Sequence, residues 1–480
     1  MPEKGQGAYN VVVIGAGTAG LVTAAGTAGL GGRVALVERH RMGGDCLNTG
    51  CVPSKALLSS ARAAQNVREG RRWGLEGQEP RFRFEDVMER MRERRARLAP
   101  HDSQERFESL GVDVFRGTAR FVSPREVEVD GRRLRARNFV IASGSRAALP
   151  PVEGLAEAGP FTNETVFDEL EERPARMIVL GGGPIGCELG QAFARLGVRV
   201  TILEALPRLL DKEDEDAAAV VKGRLEAEGV TVVTGARARR VWREGALTRV
   251  ELEGAGTLEA EALLVAAGRR PNVEGLGLET AGVAFDQKGV NVNARLETSQ
   301  PHIYAAGDVT GGHQFTHLAD HHARTVVRNI LLPWVKARID TSVLPWCTYT
   351  SPEIARVGLS EAQAREQAVP HEVWMQPVAE VDRAVLESEE EGFAKVLTAA
   401  GSDRILGVTL VAERAGDLVH EFALAMKAGV GLKVVSSTIH AYPTFAEVAR
   451  KAADRYQKSR LTPRTRRLFA WLYRRGLDSG

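Results

Sequence analysis

The chain has 480 residues, of which 44% are hydrophobic and 26% are charged. These fractions are ordinary for a globular protein, and the length predicts three or four domains of about 100 to 200 residues each. The formal net charge of only +2 argues against a dedicated nucleic-acid-binding protein. The first residues lack the basic region and apolar run of a secretion signal, so we expect a cytoplasmic protein.

A strand, a glycine-rich turn and a helix are predicted near the start of the chain. The apolar residues 11–14 predict a buried parallel strand, and residues 34–38 predict the next strand, which ends in Glu38. In a dinucleotide-binding unit, glycines allow a tight turn, close approach to a pyrophosphate and close helix packing, and the acid binds ribose hydroxyls. The glycines of this turn are Gly15, Gly17 and Gly20.

The same pattern occurs a second time. Gly181 follows Gly15, and Glu204 follows Glu38, by the same 166 residues. The repeat predicts two βαβ units and therefore two bound dinucleotides. The other glycines of the second turn are Gly183 and Gly186.

Glu204 also bears on the choice of the second cofactor. A carboxylate at this strand end favours a free ribose 2′-hydroxyl and repels a 2′-phosphate. We therefore expect NADH, while the nearby Arg208 leaves NADPH open.

Two cysteines, Cys46 and Cys51, lie just after the first unit and are called here the cysteine pair. A structural zinc site is disfavoured because it needs four close ligands, whereas Cys187 and Cys347 are isolated. A helix starting near Pro53 would place its positive end close to the thiols and favour a thiolate. The pattern suggests a redox relay beside a bound cofactor.

Four further motifs support a family resemblance. With the two dinucleotide units, the cysteine pair and Lys55, they resemble the FAD-dependent pyridine nucleotide-disulfide oxidoreductases over nearly the whole chain. Within that family the sequence is most similar to dihydrolipoyl dehydrogenase and to the flavin core of mercuric reductase. The motifs occupy residues 141–145, 266–272, 298–308 and 349–358.

The resemblance implies an α/β fold with two Rossmann-like domains, for FAD and NAD, and a C-terminal α+β dimerisation domain, hence a homodimer. The FAD-binding domain would take residues 1–150 and return as a central part at 274–344. The NAD(P)-binding domain would take 151–273 and the dimerisation domain 345–460. Residues 461–480 would form a basic amphipathic tail.

The resemblance also implies roles for individual residues. Cys51 would contact the flavin and Cys46 would meet the substrate. Lys55 and Glu188 would pair near the reactive nitrogen of the flavin, and Asp308 would bond its ribityl region. Further cofactor-binding positions are expected at Gly44, Ser143, Gly144 and Gly268.

The pattern departs from dihydrolipoyl dehydrogenase at Tyr442, where that enzyme has a histidine base. A phenol with an ordinary pKa near 10 is a poor base but a good donor to a thiolate or a metal. Tyr442 and Glu447 are expected to act in the site of the other subunit, and His440 is expected to bond locally. Tyrosine here resembles mercuric reductase, although no cysteine follows Cys347.

The resemblance therefore implies an NAD(P)H- and FAD-dependent oxidoreductase, mercuric reductase-like, that acts through the cysteine pair on a thiol, disulfide or metal-ion substrate. A dihydrolipoyl dehydrogenase, an NADH-quinone-type reductase and a low-turnover flavin redox sensor stay open. We predict no resident metal. Three histidines that would form one stripe on a helix are better explained by packing or flavin contact: His313, His317 and His321.

The stretch from Lys458 to Arg475 has seven basic residues and no acidic one. At about 100° per residue, the arginines share one arc of a helix, and five apolar side chains share the other: Leu461, Leu468, Phe469, Leu472 and Tyr473. We expect the apolar arc to pack on the enzyme's own dimer, with an anionic membrane surface as the alternative.

Overall fold

The computed structural model describes residues 8–254 and 256–477. They form two compact units, each drawn from several stretches of chain. The first unit runs to Asn66 and continues with Glu79–Pro207 and Gly229–Asp340. The second unit contains Val67–Gln78, Arg208–Glu228 and the chain from Thr341 onward.

The strands of the described residues, in chain order, are β1 (Tyr9–Ile14), β2 (Val34–Glu38), β3 (Asp113–Arg116), β4 (Ala119–Ser123), β5 (Glu126–Val129), β6 (Arg132–Ile141), β7 (Ser145–Ala147), β8 (Arg176–Leu180), β9 (Arg199–Glu204), β10 (Thr231–Thr234), β11 (Ala238–Glu244), β12 (Leu247–Leu252), β13 (Gly256–Ala260), β14 (Ala262–Val265), β15 (Arg269–Pro271), β16 (Phe285–Asp286), β17 (Gly289–Val290), β18 (Ile303–Ala305), β19 (Pro345–Thr348), β20 (Glu353–Gly358), β21 (His371–Pro377), β22 (Phe393–Ala399) and β23 (Ile405–Ala412).

The helices of the described residues are α1 (Thr18–Gly29), α2 (Gly44–Asn48), α3 (Cys51–Arg68), α4 (Phe84–Leu98), α5 (Gln104–Ser109), α6 (Val166–Glu169), α7 (Pro184–Arg195), α8 (Glu215–Ala227), α9 (Thr316–Leu331), α10 (Glu361–Glu366), α11 (Asp382–Glu387), α12 (Ala415–Ala428), α13 (Leu432–Ser437), α14 (Glu447–Ser459) and α15 (Pro463–Leu477). Among the described residues, no helix combines the length and the apolar character needed to span a membrane.

The first unit contains two parallel sheets. In one, β3, β2, β1 and β6 lie side by side in parallel, with β18 also parallel to β6. In the other, β10, β9, β8 and β14 are parallel. Val11, Val12 and Val13 of β1 are fully buried, which explains the continuous apolar run, because a central parallel strand is covered on both faces. Both predicted βαβ units are present.

The second unit is built on an antiparallel sheet in the order β19, β20, β23, β22, β21. Helices α8, α12 and α14 pack on strands of this sheet. Helix α8 lies within the range predicted for the NAD(P)-binding domain, yet its residues belong to this unit. The exact domain boundaries stay a prediction.

Candidate active site

The turn between β1 and α1 requires glycine at two positions. Gly15 has φ of +105°, and a Cβ on Gly20 would lie 1.8 Å from the carbonyl oxygen of Gly15. Glu38, at the end of β2, accepts hydrogen bonds from the backbone N–H of Ala16 (2.7 Å) and of His40 (2.6 Å). The turn thus brings the acid of the second strand against the glycine loop.

The turn between β8 and α7 has the same geometry. Gly181 has φ of +112°, and a Cβ on Gly186 would lie 1.9 Å from the Gly181 carbonyl oxygen. Glu204 accepts from the backbone N–H of Gly182 (2.7 Å) and of Leu206 (2.8 Å). The repeat found in the sequence is therefore also a repeat in hydrogen bonding.

Both turns have glycine backbone at a helix N-terminus. A Cβ on Gly183, which precedes α7, would meet no atom within 4 Å, whereas at the first turn Gly44 and Gly17 approach so closely that a Cβ on Gly44 would lie 2.5 Å from Gly17 Cα. Bare backbone at these places fits a phosphate bound by N–H groups and by the helix dipole. The residues fit FAD at the first turn, around Gly17 and Glu38, and a nicotinamide dinucleotide at the second.

Asp308 lies in a short 3₁₀ turn, Gly307–Thr310, and belongs to a polar chain. Its Oδ2 accepts from the Ser145 hydroxyl (2.7 Å), whose oxygen accepts from Arg269 Nε (2.9 Å). Arg269 Nη2 also lies 3.1 Å from Asp45 Oδ2. Burial raises the pKa of Asp308, opposed by Ser145 and Arg269. Arg269 and Asp45 were not predicted as site residues. Their only sequence signal is their position, with Arg269 inside the motif at 266–272 and Asp45 next to Cys46.

The remaining predicted cofactor positions lie on loops that bond to one another. The Ser143 hydroxyl donates to the Asn272 carbonyl (2.7 Å), and the Asn272 N–H donates to the Gly144 carbonyl (2.9 Å). Gly144 and Gly268 have φ of +70° and +119°, a conformation that favours glycine. Their contact with a cofactor stays a prediction.

The cysteine pair is divided between two helices, with Cys46 in the short α2 and Cys51 as the first residue of α3. The chain leaves the helical conformation between them, at Thr49. Both cysteines are free thiols. Cys51 Sγ lies 3.4 Å from the hydroxyl of Thr316, the first residue of α9 and a neighbour that the sequence did not predict.

The two thiols have opposite acidities. A hydrogen bond from Cys46 lowers the pKa of Cys51 to about 6, and Thr316 and Lys55 act in the same direction against desolvation. The same hydrogen bond, together with burial, raises the pKa of Cys46. At neutral pH, Cys51 is therefore the thiolate and Cys46 the thiol.

Lys55 and Glu188 are in contact, with Lys55 Nζ 2.9 Å from Glu188 Oε2. Glu188 is buried in α7, and Lys55 is one turn along α3 from Cys51. The ion pair compensates the buried carboxylate and holds the ammonium on the side of Cys51, whose pKa it lowers. The role of Lys55 and Glu188 beside the flavin stays a prediction.

The acidity of Cys51 predicts a pH profile for alkylation. In the reduced protein, the rate of Cys51 modification by iodoacetamide should rise through about pH 6 and then level off, because the thiolate is the nucleophile. Lys55→Met should move the midpoint to higher pH by removing the nearby cation. Peptide mapping by mass spectrometry separates Cys51 from Cys46, and Lys288→Met, at an exposed lysine, is the matched control. A wild-type midpoint near the ordinary value of about 8.5 would contradict this assignment.

Tyr442 lies in the second unit, and its side chain is 69% exposed. Its hydroxyl donates to Asp382 Oδ2 at 3.0 Å, and Lys451 Nζ lies 2.9 Å from the other oxygen of Asp382. The hydrogen bond to Asp382 raises the pKa of Tyr442. The phenol therefore stays protonated at neutral pH.

His440 bonds locally, as expected. Its ring nitrogens lie 2.9 Å from the Thr438 carbonyl and 2.8 Å from Glu421 Oε1. Glu447 is buried and accepts from Arg450 Nη2 (2.8 Å) through one oxygen, while the other has no hydrogen-bond partner among the described residues. In the described part of the chain, the Tyr442 hydroxyl is hydrogen-bonded to Asp382 and not to His440 or Glu447.

The three histidines do not form one helical stripe. Helix α9 begins at Thr316, so His313 lies before the helix. The rings of His313 and His317 instead stack on Phe315, with centroid distances of 5.7 Å and 5.3 Å. This stacking agrees with the expectation that the histidines serve packing.

Comparison with known proteins decides the family. Residues 9–323 match the family model described as pyridine nucleotide-disulphide oxidoreductase, and residues 344–453 match the dimerisation domain of the same family. The chain belongs to the pyridine nucleotide-disulphide oxidoreductases. The fold predicted from the sequence is thereby confirmed.

Individual oxidoreductases of this kind are similar to nearly the whole chain. A mercuric reductase of Lysinibacillus sphaericus is 34% identical, over 94% of this chain and 83% of that protein. A dihydrolipoyl dehydrogenase of Thermus scotoductus is 37% identical, over 94% and 98%. The solved Cu(II) complex of the HOCl-induced flavoprotein disulfide reductase RclA from Escherichia coli has a TM-score of 0.85 and 29% identity, covering 94% of this chain and 99% of that one.

The protein is accordingly an FAD- and NAD(P)H-dependent disulfide oxidoreductase with a dimerisation domain that supports a homodimer. FAD, when bound, supplies two-electron transfer between the nicotinamide and the cysteine pair. The chain's own residues hold the cofactors, keep Cys51 as a thiolate, and keep Cys46 protonated.

Proposed function

We propose that this oxidoreductase uses NADH to reduce a thiophilic metal ion, such as Hg(II), bound by the cysteine pair. The overall reaction consumes NADH and Hg(II) and yields NAD⁺, a proton and Hg(0). The observation that carries the proposal is the phenol of Tyr442, held as a donor to Asp382 at 3.0 Å.

Tyr442 disfavours the oxidation of dihydrolipoamide. That reaction needs a base to take a proton from a substrate thiol, and such a base contributes about 10²–10⁴-fold to the rate. The pKa of Tyr442 is raised by Asp382, so the phenol is not a base near neutral pH. From the family resemblance we expect Tyr442 to serve the cysteine pair of the other protomer. There the phenol, once its single O–H has left Asp382, suits donation to a thiolate or to a metal-bound sulfur.

The cysteine pair suits a soft metal ion. Thiolate sulfur is the preferred ligand of soft metals, and Cys51 already has a pKa of about 6. Cys46 loses its proton when it binds the ion, because the metal stabilises the thiolate. The similarity to a mercuric reductase of Lysinibacillus sphaericus supports the same substrate class.

The second dinucleotide turn supports NADH as the electron donor. Glu204 is held at the ribose end of the turn by the N–H groups of Gly182 and Leu206. Arg208, which left NADPH open, donates to the carbonyls of Leu210 (3.0 Å) and Asp211. These bonds to its own loop support NADH over NADPH.

An anaerobic acceptor panel tests the proposal. The purified enzyme is supplied with NADH and, in turn, Hg(II) with excess thiol, Cu(II), oxidised lipoamide, glutathione disulfide and a quinone. We expect Hg(II) to give the highest kcat/KM. A higher kcat/KM with lipoamide or a quinone would contradict the proposal, and flavin reduction without turnover of any acceptor would indicate a redox sensor.

A single substitution separates metal reduction from thiol oxidation. Tyr442→His should raise dihydrolipoamide oxidation at least ~10-fold, since it restores an imidazole with a pKa near 6.5. Tyr442→Phe should lower Hg(II) turnover without that gain. Equal rates of dihydrolipoamide oxidation in wild type and Tyr442→His would show that residue 442 does not decide between the two reactions.

A further inference from the structure

Helix α15 (Pro463–Leu477) is exposed along its length. Side chains from Leu461 to Arg475 are exposed, with only Thr465 partly covered. Leu468 is 51% and Tyr473 is 81% exposed. No face of α15 is therefore covered by the described part of the chain, although the helix carries large apolar residues.

The side chains of α15 separate into two arcs. At about 100° per residue, four apolar side chains occupy an arc of about 140°, and the arginines occupy the opposite arc of about 180°, where Trp471 also lies. The guanidinium of Arg475 lies 4.6 Å from the Trp471 ring centroid. The apolar arc contains Leu468, Phe469, Leu472 and Tyr473, and the basic arc contains Arg464, Arg466, Arg467, Arg474 and Arg475.

The charges indicate what covers the apolar arc. From Lys458 to Arg475 there are seven basic residues and no acidic one, so two copies of this helix would repel each other. The family's dimerisation domain matches residues 344–453 and ends before α15 begins. A second copy of the chain is thus disfavoured, and a negatively charged, partly apolar surface is complementary to both arcs.

We propose that α15 binds the surface of an anionic lipid membrane, with its apolar arc in the headgroup boundary and its arginines on the lipid phosphates. Helices with a strongly basic face and an apolar face with aromatic residues lie in this way in the plane of a bilayer. The bound enzyme would carry out its redox reaction at a membrane surface. This differs from the expectation that the apolar arc packs on the dimer.

Vesicle flotation of the full-length, FAD-loaded enzyme tests the proposal. Vesicles of phosphatidylcholine alone are compared with vesicles containing one third phosphatidylglycerol. We expect binding only to the anionic vesicles, and we expect it to weaken strongly between about 0.1 M and about 1 M salt, as the Debye length falls from ~10 Å to ~3 Å. Equal binding to both vesicle types, or none to either, would overturn the proposal.

Three double variants locate the contact. Arg464→Gln with Arg466→Gln removes the charges on both sides of the apolar arc and should weaken binding about 30-fold. Leu468→Ser with Leu472→Ser should weaken it by a similar factor, by removing apolar area. The matched control, Arg94→Gln with Arg97→Gln on exposed positions of α4, removes the same charge and should bind like wild type.

Sedimentation of a chain that stops after Arg460 tests the alternative, in which a second copy of the chain covers the apolar arc. We expect the shortened enzyme to keep the wild-type oligomeric state and FAD spectrum and to lose vesicle binding. A shortened enzyme that becomes monomeric, with wild-type protein that ignores anionic vesicles, would assign α15 to the dimer instead. Control-variant binding that falls as far as the α15 variants would also overturn the proposal.

Discussion

Cys51→Ser should lower NADH-dependent reduction of every acceptor by at least ~10³-fold, a loss typical of removing an enzyme's nucleophile. Cys51 is the thiolate of the pair, with a pKa of about 6, and serine offers neither a thiolate nor a sulfur that can form a disulfide. NADH should still bleach the flavin, because Glu204 and the second glycine turn are unchanged. Anaerobic steady-state turnover and flavin absorbance measure the two steps separately.

Two further cysteine variants complete this experiment. Cys46→Ser should also abolish turnover but keep an O–H donor beside Cys51, so a thiolate should persist at neutral pH in the alkylation assay. Cys347→Ser, in β19 of the second unit, is the matched control and should retain turnover within about twofold. More than about one tenth of wild-type turnover in Cys51→Ser would show that the cysteine pair is not the route to the acceptor.

Lys395→Met should destabilise the second unit by about 3–5 kcal/mol, the usual loss when one partner of a buried ion pair is removed. Lys395 is 3% exposed, and its ammonium contacts Asp216, Glu361 Oε2 (3.2 Å) and Asp214 Oδ2 (3.5 Å). Asp214 also accepts from the Thr409 hydroxyl at 3.0 Å. Without the Lys395 ammonium, the carboxylates of Asp214, just before α8, and Asp216, in its first turn, lose the positive charge that compensates them.

The raised pKa of Lys395 decides the pH at which the stability difference is measured. Burial opposes the charge on Lys395, but the hydrogen bond to Asp216 and the charges of Asp214 and Asp216 outweigh burial and raise its pKa. A raised lysine pKa stabilises the fold fully below the pKa of an unfolded lysine, about 10.4, and that stabilisation is lost as pH rises through the folded pKa. The difference between variant and wild type is therefore measured near pH 7, where it is complete.

Urea unfolding, followed by tryptophan fluorescence, compares Lys395→Met with Lys433→Met. Lys433 is more than half exposed and lies 3.8 Å from Asp403 Oδ1, so its loss should cost at most about 1 kcal/mol. A Lys395→Met loss no larger than that of the surface variant would contradict the importance of the buried cluster.

Features that depend on neighbouring residues could be predicted from the amino-acid sequence. Glycine at Gly15 and Gly181 is required by a local positive φ, and the acids Glu38 and Glu204 follow at a set distance because one βαβ unit has a set length. The main cause of the low pKa of Cys51, the hydrogen bond from Cys46, is likewise local, since the two thiols are only five residues apart. With the motifs that follow, these features sufficed to predict the family and its cofactors.

Partners from distant parts of the chain could not be predicted from local sequence patterns, because they meet only when the chain folds. Lys55 and Glu188 are 133 residues apart in sequence, and their contact was expected only from the family resemblance, since no local pattern predicts it. Tyr442 and Asp382, 60 residues apart, also meet only in the folded chain. The buried position of Lys395 gave no sequence signal, because a single lysine in a strand reads as exposed. Such contacts depend on the folding of the whole chain, whereas turns and helix starts are determined by the few residues that form them.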